Sequence, residues 1–174
     1  NALEACTVTL LALSIGSNIN AAKNIRAAID ALRLEFVAVA CSRVYESEAI
    51  GFEGDNFLNL VVLIDTEKEL ADIVSFLKQL EDGLGRDRSQ QKFSGRPIDV
   101  DILIYGQETG RSCGIKLPRG EITENAFVLQ PLAEVLPNQR HPGTGLLYSQ
   151  LWQGYDKSTQ KLWPIAFDWQ VAAV

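Results

Sequence analysis

Hydrophobic periodicity in this chain switches between the two-residue alternation of a strand and the 3.6-residue stripe of a helix, and the order of those switches leaves few possible topologies. The apolar run over residues 8–15 reads as a strand closing at Gly16-Ser17-Asn18, where glycine permits a sharp turn and Asn or Ser can cap a helix beginning there. Ile25, Ala28, Ile29 and Leu32 recur at i, i+3, i+4 and i+7, one buried face of a helix over residues 21–34. Two further strands are predicted: residues 36–47, rich in Val and Ala, and residues 57–65, with Leu58, Leu60, Val62 and Ile64 on one face and Phe57 and Asn59 on the other. Thr66 and Glu69 have the spacing of a capping box for a second helix, whose stripe runs through Leu70, Ile73, Leu77, Leu80 and Leu84 and is ended by Gly83 and Gly85. A last strand over residues 98–105 turns Ile98, Val100, Ile102 and Ile104 one way and Asp99 and Asp101 the other.

Strand, helix, strand, strand, helix, strand is the order of a ferredoxin-like βαββαβ core, an α+β fold with helices packed on an antiparallel sheet. The other sheet face is open to a ligand unless the C-terminal extension covers it. Pro118, Pro131, Pro137 and Pro142 break that extension into short pieces, with residues 126–136 partly helical. At 174 residues, with no repeat or linker, residues 1–174 read as a single domain.

The chain is acidic overall, with a net charge of -6, which argues against nucleic acid or an anionic membrane as partner. One segment reverses the sign: Arg86, Arg88, Lys92 and Arg96 stand against Asp87 alone, and Asp99 and Asp101 follow. Guanidinium and ammonium groups beside hard carboxylate oxygens suit a polyphosphate and Mg²⁺, which takes one or two protein carboxylates and completes its shell with water and phosphate. The alternatives are a solvated loop for the basic residues, and for the carboxylates a solvated strand end or an ion pair with Arg96. Phe57 and Asn59 share a strand face, so a flat ring could stack on one while its edge is read by the other. Glu81 reads as a solvated helix carboxylate, and His141, the only histidine, as a surface loop residue. Cys6, Cys41 and Cys113 lack paired metal-ligand spacing and read as reduced thiols, and the start of the chain reads as a strand with no leader or membrane span, which suggests a soluble cytoplasmic protein.

Several short motifs stand in one order: IGSN (residues 15–18), SRVYES (42–47), FLN (57–59), LGRDR (84–88), GRPIDVDIL (95–103), then LP, AFVLQPLAE and HP. In these, over roughly residues 11–143, the chain resembles the 6-hydroxymethyl-7,8-dihydropterin pyrophosphokinase family of folate biosynthesis. The resemblance implies ATP and a reduced pterin as partners, transfer of the β,γ-diphosphate to the pterin hydroxymethyl group with release of AMP, and a monomer or weak dimer. It implies that Asp99 and Asp101 hold two Mg²⁺ ions, and that Arg86 and Arg96 act with them at the reacting phosphates. Arg88, Lys92, Glu81, Ile102 and Arg119 are implied to contact the nucleotide. The pterin is implied to lie between Phe57 and Phe127, near Phe93, and to be read by Asn59 and by Ser47, Ala49 and Ile50.

The chain also departs from the family pattern. Arg119 stands where the family usually has His, and Asn125 where it often has Arg, both of which serve the phosphates. Phe93 replaces a Trp, Ser94-Gly95 a Gly-Pro, and Ser47-Glu48-Ala49 a Pro-rich segment. Arg119 keeps the cationic role but cannot donate a proton, while a lost charge-assisted hydrogen bond costs about 1.5–3 kcal/mol. The rival expectation is therefore a weakly active or inactive paralogue that binds a pterin or nucleotide.

Overall fold

The computed structural model describes residues 7–51, 53–85 and 96–170. Strands β1 (Thr9–Ser17), β2 (Val39–Cys41), β3 (Tyr45–Ser47), β4 (Phe57–Thr66) and β5 (Asp99–Tyr105) build one sheet with helices α1 (Ala21–Glu35) and α2 (Leu70–Gly83) on one face. Its order is β5-β1-β4-β3, with β2 also on β4, and every pairing is antiparallel, the ferredoxin-like arrangement that the element order predicts. Leu11, Leu13 and Ile15 of β1, Leu60, Val62 and Ile64 of β4, and Val100 and Ile102 of β5 interleave with Ile25, Ile29, Leu32, Ile73 and Leu77 of the helices. Apolar residues on one strand face against a matching helical stripe suffice for this layer.

The extension supplies a hairpin of β6 (Gly110–Ser112) and β7 (Ile115–Leu117), then α3 (Glu121–Glu124), α4 (Ala126–Val135), α5 (Tyr148–Gln153) and β8 (Leu162–Pro164), which joins the sheet beside β3. Val128, Leu129 and Leu132 of α4, with Tyr148, bury Ala12, Val61 and Leu103 on the second sheet face. Part of the face that the strands leave open is thus covered. Pro131 does not break α4 but sits buried inside it, removing the N–H that would otherwise serve the carbonyl of Phe127.

Several local expectations are corrected. Residues 36–47 are not one strand: Phe36 ends α1 and packs edge-on against Phe76, and β2 and β3 are separate. Cys41 pairs with Val62 but Tyr45 with Asn59, so this side carries one residue more than β4, a bulge at which the Ser42 hydroxyl accepts the Val61 N–H at 3.0 Å. The register also shifts opposite Ala12/Leu13, and Ile104 joins Leu103 in the second core instead of following Ile102. Asn18 does not cap α1, whose N-cap is Asn20 in the left-handed region. Nor do Thr66 and Glu69 form a capping box: the Thr66 hydroxyl accepts the Lys68 N–H, and Glu69 is itself the N-cap without a side-chain bond.

His141 is buried, not on the surface. Its Nδ1 accepts the N–H groups of Gly143 and Thr144, its ring packs edge-on against Tyr148, and burial lowers its pKa. A Cβ on Gly143 would lie 2.9 Å from the ring, so glycine is required there. Tyr45 crosses from β3 to α4, where its hydroxyl and Arg43 both bond Glu134. The tail beyond β8 wraps back to the helical face: Ile165 N–H reaches Val44 O, and Phe167 packs beneath Arg26, which bonds Asp168 O.

Candidate active site

Where α4 stops short of the ends of β1, β4 and β5, a cleft of about 410 Å³ opens, within the size range of small-molecule sites. Register builds it. Gly16 of β1 pairs with Asn59 on one side and Asp99 on the other, and Ser14 pairs with Val61 and Asp101. The polar residues of three strands therefore converge on one patch, although they are far apart in the chain. Phe57, Asn59, Ser47 and Ile50 form one end of the cleft with Phe127 from α4, while Arg96, Asp99, Asp101, Arg119 and Glu121 form the other, with Asn125 also in the wall.

At the aromatic end, Asn59 is buried and its Nδ2 donates to Ser47 Oγ at 2.8 Å, which sets the orientation of the carboxamide. A Cβ on Gly16 would lie 3.2 Å from Asn59 Oδ1, so glycine keeps room beside that group. Local sequence assigns Gly16 to a turn, but it lies within β1 and pairs on both sides; strand register, which no local pattern carries, reveals its task beside Asn59. Ala49 does not line this cleft but an adjoining cavity of about 250 Å³ that shares Ser47, Glu48, Ile50 and Phe127 with it.

At the charged end, Arg96 Nη1 lies 3.3 Å from Asp99, and Arg119 Nη2 lies 3.7 Å from Asp101 and 2.9 Å from Glu121. Asp101 is half-exposed to the cleft. The protein around its carboxyl pushes its pKa up to about 6, chiefly by desolvation, with Asp99 and Glu121 adding repulsion and Arg119 opposing. Such a pair of crowded carboxylates gains from a further cation. For Arg119, burial alone would lower the pKa, but Asp101 and Glu121 outweigh it and raise it; its Nε is buried without a partner among the described residues.

Arg96 is itself held by the turn after β1. Its N–H donates to Asn18 Oδ1 at 2.6 Å, Asn18 N–H returns a bond to Arg96 O, and Asn18 Nδ2 reaches Asp55 O. Ser17 Oγ donates to Pro97 O. Asn18 is thus a clasp between two motifs rather than a helix cap, a role that its spacing in the sequence did not signal. Glu121, two residues beyond Arg119, and Ser14 are other cleft residues that sequence reasoning missed.

Besides Ala49, two expected site residues lie elsewhere. Ile102 is buried in the helix-side core, and Glu81, far from being solvated, is buried with Oε2 accepting the N–H of Val100 on the sheet's edge strand. Their side chains are not walls of the cleft. Arg86, Arg88, Lys92 and Phe93 lie outside the described residues. Among the described residues no cluster of three or more His, Cys, Asp or Glu could cage a metal. Asp99 and Asp101, facing one cleft, match the smaller protein share of an oxygen-ligated Mg²⁺.

Residues 12–137 match the family profile described as 7,8-dihydro-6-hydroxymethylpterin-pyrophosphokinase (HPPK). The chain is 37% identical over 133 residues to a 2-amino-4-hydroxy-6-hydroxymethyldihydropteridine pyrophosphokinase of Aquifex aeolicus, covering 75% of this chain and 82% of the relative. It is 33% identical to a folate synthesis bifunctional protein of Chlamydia caviae, of which it spans 32%. Among solved structures it resembles an HPPK-DHPS in complex with substrates, with TM-score 0.67 and 14% identity over 86% of this chain and 44% of that one, a likeness of fold.

Proposed function

The chain belongs to the 7,8-dihydro-6-hydroxymethylpterin-pyrophosphokinase family, and from that membership we propose how its cleft transfers the β,γ-diphosphate of ATP to the hydroxymethyl group of 6-hydroxymethyl-7,8-dihydropterin, releasing AMP in folate biosynthesis. The observation that carries this reading is the polarity of the cleft, aromatic and amide-lined at Phe57, Asn59 and Phe127, charged at Arg96, Asp99, Asp101 and Arg119. A flat, hydrogen-bonding ring fits the first end and a polyphosphate the second. Phe57 and Phe127 hold the pterin, and Asn59, oriented by Ser47, reads its edge.

In the reaction the hydroxymethyl oxygen attacks the β-phosphorus, the bond from that phosphorus to the oxygen bridging it to the α-phosphate breaks, AMP leaves with that oxygen, and the hydroxyl proton passes to solvent. Positioning the two substrates removes much of the entropic barrier, and fixed charge stabilises the phosphate oxygens. Asp99 and Asp101 would hold Mg²⁺, which supplies charge neutralisation on those oxygens. Arg96, its backbone clasped by Asn18 and its guanidinium beside Asp99, offers positive charge to a phosphate, and Arg119, held between Asp101 and Glu121, keeps positive charge at the same end. Arg86, Arg88 and Lys92 are assigned to the triphosphate, Phe93 to the pterin side, and Glu81 to a supporting role beside β5. Ile102 has only its backbone to offer a nucleotide.

We place this chemistry in one domain acting as a monomer or weak dimer. The free thiols Cys41 and Cys113 suit a reducing cytoplasm, and among the described residues no helix is long and apolar enough to cross a membrane. The test is incubation with ATP, Mg²⁺ and the pterin, with AMP and pterin diphosphate quantified together. Equal amounts of both, lost in the Asp99→Ala plus Asp101→Ala protein, are expected. Binding of both ligands without product would overturn the assignment in favour of a binding paralogue.

A further inference from the structure

The cleft has a wall brace that lies outside residues 12–137, the part matched to the family. Helix α4 needs acceptors for its first N–H groups, and its N-cap Asn125 makes no side-chain cap bond. The acceptor comes from 34 residues away: Ala126 N–H donates to Gln160 Oε1 at 2.9 Å. Gln160 Nε2 donates in turn to Asn125 Oδ1 at 3.0 Å. The two residues flanking Ala126 are Asn125 and Phe127, and both face the cleft. The Gln160 carboxamide, whose Nε2 also lies 3.5 Å from Glu124 O, therefore braces the start of the helix that presents the aromatic wall, with Tyr155 beside it.

The segment carrying Gln160 is itself tied at both ends. Before it, Tyr155 Oη donates to Glu124 O at 2.8 Å; after it, Leu162 of β8 pairs with Ser47, the residue that orients Asn59. The strap thus spans from one aromatic wall to the other, with the smaller cavity enclosed between Gln160, Leu162, Phe127 and Ile50. None of the hydrogen bonds described for it reaches Arg96, Asp99 or Asp101.

We infer that Gln160 is a positioning residue for the pterin, acting through the first turn of α4 on Phe127, and that the strap over residues 155–164 is a working part of the cleft; this rests on the function proposed above. An uncapped first turn frays, and Phe127 is its second residue, so losing the carboxamide loosens the aromatic wall while leaving the phosphate end intact.

The test is equilibrium titration of wild type, Gln160→Leu and Gln160→Glu with α,β-methylene-ATP and Mg²⁺, and with the pterin at saturating analogue. Gln160→Leu removes all three carboxamide bonds at similar volume and is expected to weaken pterin binding about tenfold, with analogue affinity within about twofold. Gln160→Glu keeps an acceptor for Ala126 but loses the donor to Asn125 and Glu124, so its pterin affinity should fall between wild type and Gln160→Leu. If Gln160→Leu does not fold, Gln160→Ala, which lets water cap the helix, carries the same expectation at about threefold. Unchanged pterin affinity in the apolar variants, or equal weakening of both ligands, would overturn the inference. Failure of the unaltered protein to bind the pterin would instead sink the functional assignment on which it stands, and is seen before any substitution is made.

Discussion

The two faces of the central sheet are made by the same strands and do different work. Toward α1 and α2, alternate residues of β1, β4 and β5 are apolar along nearly their whole length. On the opposite face each strand changes character partway: β1 runs from Ala12 to Ser14 and Gly16, β4 from Val61 to Asn59 and Phe57, β5 from Leu103 to Asp101 and Asp99. The apolar halves lie under α4 and the polar halves line the cleft. A uniform face needs only hydrophobic volume, whereas the divided face needs register, because its polar positions become a site only when three strands align them.

That division of labour predicts separable effects. The largest is on chemistry: Asp99→Ala plus Asp101→Ala should reduce AMP formation by about 10³-fold or more, while the thermal midpoint changes by only a few degrees, since removing both carboxylates relieves their mutual repulsion as it breaks their ion pairs. A collapse of the fold in that variant would break the comparison. On the helical face, Leu60→Ala should cost about 2–5 kcal/mol in denaturant unfolding with KM for the pterin little changed in the surviving folded protein. A selective change in KM there would mean that the uniform face also shapes the site.

Gly16→Ala sharpens the boundary itself. The added methyl meets Asn59 Oδ1 at 3.2 Å, so KM for the pterin should rise about tenfold, with a smaller effect on stability. The smallest effect is a pH slope. Asp101 has a folded pKa raised to about 6 from the usual 3.8, so the native state holds its proton longer than the unfolded chain. Its contribution to stability is present below about pH 4 and is lost as pH rises through about 6. In metal-free buffer, wild type should lose stability relative to Asp101→Asn across that window, and parallel curves would deny the crowding of the cleft carboxylate.

Much of this division is legible in the sequence. The switching of hydrophobic period marks β1, β4, β5 and both packed helices, because each pattern is local to one element, while β2 and β3 read as a single strand. The same period places Asp99 and Asp101 on one face and Phe57 with Asn59 on another. The ordered motifs carry the resemblance to a family to which the chain belongs. Sequence by itself therefore determined the order of the main elements, the helix-side core apart from Ile104, and the main candidates at both ends of the cleft.

The tertiary structure decided what depends on distances between elements. Asn18 clasps Arg96 instead of capping a helix, Glu81 and His141 are buried, and Gln160 caps a helix 34 residues upstream. The bulge at Ser42 and the register shift before Ile104 likewise arise only when one strand meets its partner. Periodicity tells a residue which way to face within its own strand or helix; the partner it finds there is set by packing and register, which no single stretch of sequence contains.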